Sequence, residues 1–226
     1  QQAGDPLPIQ AEQLQLMRAR GDLPPGHFAD LLLEQAQEKQ QQALERYMAA
    51  VQAWPEVSDH VIELPGKEGR PGLYVQLTAL RGKAEQTSGY LHLVAETSEL
   101  VKENKYRLDV VLRHWLKHLA GQQLAHGMTT HILSPKGEVT LAPIDWSIAK
   151  SHLQKMLDAW CTGMQRPLPL EVNTGFAWLK TRKLSEAEKK FNALDDLYLS
   201  RSLSDFAAFS ESGEFQTLTE TLLAPI

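Results

Sequence analysis

The spacing of apolar residues changes at Pro55, and that change limits what the chain can build. Ahead of it, Phe28, Leu31, Leu32, Leu44, Tyr47, Met48, Val51 and Trp54 recur at helical intervals. They predict one long amphipathic helix over residues 27–54. Its middle, Gln35 to Gln42, is polar but consists of good helix formers. A shorter helical pattern with Ile9, Leu14 and Met17 covers residues 9–19, and a Gly/Pro turn separates the two. Beyond Pro55 the apolar residues fall into short runs at 57–64, 73–85, 89–95, 128–133 and 138–142, which read as strands. Pro65-Gly66, Pro71-Gly72 and Pro135-Lys136-Gly137 punctuate them, the last as a tight hairpin signal.

Helical periodicity returns at 105–124, where Leu108, Val111, Leu112, Trp115 and Leu119 form one stripe. It returns again at 146–163, where Ala149, Leu153, Met156, Leu157 and Trp160 share a face behind a start at Pro143 and Asp145. In the tail, Ser185-Glu186-Ala187-Glu188 has capping-box spacing ahead of Phe191, Leu194, Leu197 and Tyr198, and a last helix runs over 213–223. Strands and helices in this order bury their apolar faces as an α/β fold, a mixed sheet of about five strands flanked by helices. The expected division is a helical lead-in at 1–26, an α/β core at 27–180 and a helical tail at 181–226.

The 226 residues are 42% hydrophobic and 23% charged, enough for a real core. A net charge of -5 argues against strong stand-alone binding of duplex DNA, because phosphate neutralisation supplies most of that affinity. The lone Cys161 excludes an internal disulfide, fits a reducing, cytoplasmic setting, and between Trp160 and Met164 is expected in a packed site. No apolar run approaches the roughly 18 residues of a membrane span, and no signal peptide is visible. The start at Gln1 without an initiator Met suggests a piece of a longer polypeptide.

The chemistry-bearing residues are sparse. Glu85, Glu96 and Glu99 lie near adjacent strand ends, where converging carboxylates can hold Mg²⁺ for phosphodiester cleavage. A lysine usually assists there, but Glu96-Thr97-Ser98 has none two residues after the acid. Glu103-Asn104-Lys105 has the right letters in a polar turn before a helix, the wrong place. His114 and His118 stand four apart on one helix, a spacing that can clamp Zn²⁺. No third ligand follows, and they are expected to flank the core. No glycine-rich phosphate loop occurs, so no cofactor and no small-molecule substrate are expected. Lys67, Arg70, Lys136, Lys180, Arg182 and Lys183 are the basic residues best placed to touch a phosphate backbone.

Three passages, in order, carry a resemblance. They are Arg18 to Phe28, then Leu77 to Glu85 with Leu108 to Ala120, then Gly163 to Leu170 with Thr174 to Trp178; it extends to the closing Leu222-Leu223-Ala224-Pro225. Together they resemble the C-terminal domain of RecC, the gamma subunit of exodeoxyribonuclease V, the RecBCD enzyme. The resemblance implies a restriction-endonuclease-like (PD-(D/E)XK nuclease-like) core lacking the catalytic residues, with Glu85 and Glu96 as vestigial metal-site positions. It also implies a non-enzymatic, DNA-guiding domain working with RecB, RecD and DNA in strand separation and Chi-dependent double-strand-break repair. An active Mg²⁺-dependent nuclease using Glu85 and Glu96 is the alternative.

Overall fold

A computed structural model describes residues 20, 41, 42, 44–66, 69, 71–82, 89–192 and 205–226. The chain divides into two compact units, Gln1–Glu45 and Arg46–Ile226. In the first, the described residues are helical. The helix expected at 9–19, the front of the one expected at 27–54, and Leu194, Leu197 and Tyr198 lie outside the described residues.

The second unit opens with a helical stretch at 46–53, α1, and continues as β1 (His60–Leu64), β2 (Leu73–Leu77), β3 (Leu80–Gly82) and β4 (Tyr90–Ala95). A small ribbon follows, β5 (Val101–Lys102) and β6 (Lys105–Tyr106). After it come α2 (Leu108–Gly121), β7 (Met128–Leu133), β8 (Glu138–Leu141) and α3 (Trp146–Gly163). Four helices close the described chain: α4 (Val172–Thr181), α5 (Leu184–Asn192), α6 (Phe206–Ser210) and α7 (Glu214–Leu222).

The main sheet has the order β3-β4-β7-β8. β4 and β7 are parallel, so they need a crossover, and α2 supplies it. β3 and β8 add antiparallel edges. The alternation of side chains then sorts the core. Trp115 and Leu119 of α2 pack with Leu80 and Met128, and Val110 and Val111 pack with Ile132 and Leu100. Leu91, Leu93 and Leu133 turn to the opposite face and meet Tyr47, Ala50, Val51 and Trp54 at α1. The result is helix, sheet, helix. The antiparallel β1–β2 hairpin adds Ile62, Val75 and Leu77 to the α2 side.

Several expectations change. The run at 73–85 is not one strand. It breaks at Thr78-Ala79, where Ala79 takes a left-handed φ of 54°, so β2 stays in the hairpin and β3 joins the main sheet. Among the described residues the mixed sheet therefore has four strands, with two separate two-stranded ribbons. Ser185 does not cap a helix, because α5 already begins at Leu184 and Ser185 lies in its first turn. Leu108 and Trp160 leave their stripes for solvent, at 36% and 54% exposure, and Met164 is 70% exposed. Cys161 is thus only partly buried, and the packed site expected around it does not form. The start of α3 is as expected, with the Asp145 carboxylate accepting from the Ser147 amide at 2.7 Å.

Candidate nucleic-acid interface

Glu96 follows β4 directly, and its own amide still donates to Leu133 of β7 at 2.7 Å. Its side chain is only 10% exposed. Oε1 accepts from the Ser98 amide at 3.0 Å and lies 3.8 Å from the Arg113 guanidinium. Oε2 lies 3.1 Å from His114 Nε2. Burial is the largest single influence and pushes the carboxyl up. The Ser98 amide, His114 and Arg113 together outweigh it and hold the group below its ordinary value. The carboxylate is held by the Ser98 amide and by two side chains of α2, the Arg113 guanidinium and the His114 imidazole.

His114 and His118 face different partners. His118 does not flank the core. It is fully buried, stacks on Trp115 and has Nδ1 3.1 Å from the Thr130 hydroxyl of β7. One turn on, the Gln122 amide donates to the carbonyls of His118 and Met128 at 2.9 and 2.8 Å. His92, on β4, is also buried, and its Nδ1 has no hydrogen-bond partner. Burial lowers both His92 and His118 to about 4; for His92 the charges of Lys117, His114 and His118 add to it. Both are therefore neutral core groups at physiological pH. Among the described residues no group of His, Cys, Asp or Glu is arranged to hold a metal ion. The sequence signal for these buried imidazoles is only their place on apolar stretches.

Of the expected phosphate contacts, Lys67 and Arg70 lie outside the described residues, as does Glu85. Lys136 is exposed at the turn between β7 and β8. Lys180 and Lys183 are exposed at the end of α4. Arg182, between them, is engaged: it donates to Glu220 at 2.7 Å and lies 4.6 Å from the Trp178 ring centroid. The structure also exposes Lys102 and Lys105 on the β5–β6 ribbon with Tyr106 beside them, a group the sequence reading passed over.

The fold and this chemistry define a mixed α/β domain whose central parallel strand pair ends in a carboxylate engaged by an amide, an imidazole and a guanidinium. The chain belongs to the RecC C-terminal domain family, whose model matches residues 5–183. It is 27% identical over 167 residues to the RecBCD enzyme subunit RecC of Escherichia coli (strain K12). That alignment covers 73% of this chain and 13% of the length of that relative.

Proposed function

We propose that this chain is a non-catalytic structural and DNA-guiding domain of a RecBCD-type helicase–nuclease, built on a nuclease-like core without a working metal site. Family membership supports a place in such a complex. The observation that carries the non-catalytic reading is the Glu96 carboxylate, whose two oxygens are taken by the Ser98 amide, His114 and Arg113. A Mg²⁺ ion prefers free carboxylate oxygens and several waters, and would have to displace His114 and Arg113 first. In this reading the domain contributes to strand separation and Chi-dependent double-strand-break repair by homologous recombination, in the cytoplasm. RecB, RecD and DNA are its partners, with residues 1–26 as lead-in, 27–180 as core and 181–226 as tail. Lys67, Arg70, Lys136, Lys180 and Lys183 remain proposed phosphate contacts, while Arg182 would have to leave Glu220 to act as one.

The test is DNA cleavage by the purified chain in Mg²⁺ or Mn²⁺, with a Glu85→Ala control. The expected result is no cleavage by either protein. Cleavage that disappears in the Ala variant would make the chain a nuclease using Glu85 and Glu96 instead.

A further inference from the structure

The two faces of the β1–β2 hairpin differ sharply. Its register pairs His60 with Leu77, Ile62 with Val75 and Leu64 with Leu73 on one face, and Val61 with Gln76 and Glu63 with Tyr74 on the other. The first set turns inward. Ile62, Val75 and Leu77 are buried in one cluster with Trp115 and Leu119 of α2 and Leu153 of α3. His60 meets Tyr90 edge to face, with ring centroids 5.3 Å apart. The second set is exposed throughout. Val61 is 48% and Tyr74 63% exposed, and they are diagonal neighbours on the ladder, within reach of each other for a ring that size.

The hairpin also has an open edge. Among the described residues no third strand joins it, and β2 is the strand that lies along α2. The outward amides and carbonyls of β1 therefore have no backbone partner there, as in any edge strand. A ribbon of two strands is marginal alone, but the core holds this one by its inner face, so the edge is already extended. The charges beside it are of one sign. Asp59 lies immediately ahead of β1 and Glu63 on it; both are exposed, and neither carboxylate has a hydrogen bond or ion pair among the described residues. Glu56 is exposed further back, and Arg81, its partner in an isolated bridge, turns its guanidinium to the Trp54 carbonyl. Carboxylates repel a phosphate backbone and an acidic segment, and favour a cationic one. They also oppose a second copy: antiparallel self-pairing about Val61 would set Asp59 against Glu63, like charges directly opposite.

We infer that the β1 edge takes an extended segment of another protein chain, one that alternates cationic and apolar side chains. Its backbone pairs with β1, its apolar side chains cover Val61 and Tyr74, and its cations meet Asp59 and Glu63. The full chain is titrated with a fluorescein-labelled heptapeptide of alternating lysine and valine. The comparison ligands are a glutamate–valine heptapeptide and the lysine–valine peptide with every amide N-methylated. The lysine–valine peptide should bind and the other two should not. Asp59→Lys combined with Glu63→Lys should weaken it about tenfold, as two cross-strand ion pairs turned repulsive imply, and should gain the glutamate–valine peptide. Tyr74→Ala should weaken binding severalfold and leave its salt dependence unchanged. These side chains are exposed, so unchanged circular dichroism is expected of every variant. No binding of the lysine–valine peptide by the wild-type chain overturns the inference, as does unchanged binding by the charge-reversed variant. Equal binding of the N-methylated peptide reduces the contact to charge alone and also overturns it. So does a dimer in sedimentation equilibrium that Tyr74→Ala dissolves, which would make the face a contact between copies. The DNA-guiding reading stands apart from all these outcomes, because it is supported by family membership and Glu96.

Discussion

Glu96 is a partly buried acid whose side-chain partners come mostly from a distant part of the sequence. Ser98 is close in the chain, but Arg113 and His114 arrive from α2 because the crossover lays that helix along β4. His114→Ala should cost about 1 kcal/mol, the size of a typical charge-assisted bond in partial solvent. A double-mutant cycle with Glu96→Gln, read from urea midpoints, should recover most of that as coupling; independent effects would mean that the pair does not interact. The buried imidazoles give a pH dependence whose sign is fixed. Unfolded, His92 and His118 take up protons near pH 6.5; folded, they wait until about 4. Between those values the unfolded chain binds more protons, so stability falls as pH drops from 6.5 toward 4 and is unaffected by these groups above 7. By pH 5 the loss should approach about 2 kcal/mol per imidazole. The urea midpoint should drop from pH 7 to pH 5, and drop less steeply in His118→Asn. An equal midpoint at both values would show that these imidazoles protonate freely within the fold. At this scale the sequence was a poor guide. His114 and His118 were visible as a pair, but spacing on one helix says nothing about Glu96 or Thr130 on the strands they meet.

At the scale of elements, α2, α3 and β7 were legible because their apolar residues recur over many positions and their ends carry conventional signals, such as Asp145 ahead of α3. The break between β2 and β3 was not. Ala79 takes a left-handed φ without a glycine, proline or asparagine to mark it, so the apolar run at 73–85 looks continuous. Tertiary structure imposes the bend: Leu77 and Leu80, on either side, are both fully buried in the core under α2. A left-handed alanine costs roughly 1 kcal/mol, and a β-branched residue costs more. Ala79→Val should therefore lower stability by more than about 1 kcal/mol, while Ala79→Gly should be neutral or slightly stabilising, both measured by thermal melting. Equal effects of the two would show that the position tolerates an ordinary extended backbone. Ser185 failed for a related reason. Its capping-box letters are real, but α5 starts one residue earlier, and only the chain's arrival from α4 sets that boundary.

At the scale of the second unit, the family match ends at residue 183 while the packing does not. Trp178 of α4 belongs to one aromatic cluster with Phe191, Phe206, Phe209 and Phe215, contributed by α5, α6 and α7. The fit against α4 is close: a Cβ on Gly175 would lie 2.6 Å from Leu223 Cδ1. Two ion pairs fasten the same surface, Arg182 to Glu220 and Arg166 to Glu214. Being exposed, they contribute little compared with the aromatic cluster. Ile226 reaches further and packs on both core clusters beneath α2. The tail is thus a continuation of the core, although its sequence reads as a run of short amphipathic helices with no hint of where they dock. A chain cut after Lys183 should lose this cover over Trp178, melt about 10 °C or more below the full chain, and bind a hydrophobic dye in its native state. Phe209→Ala should move the melting point in the same direction, since removing a fully buried phenyl ring costs about 3–5 kcal/mol. If the truncated chain melted with the full-length midpoint, residues 184–226 would be an appendage and the aromatic cluster would stabilise only itself.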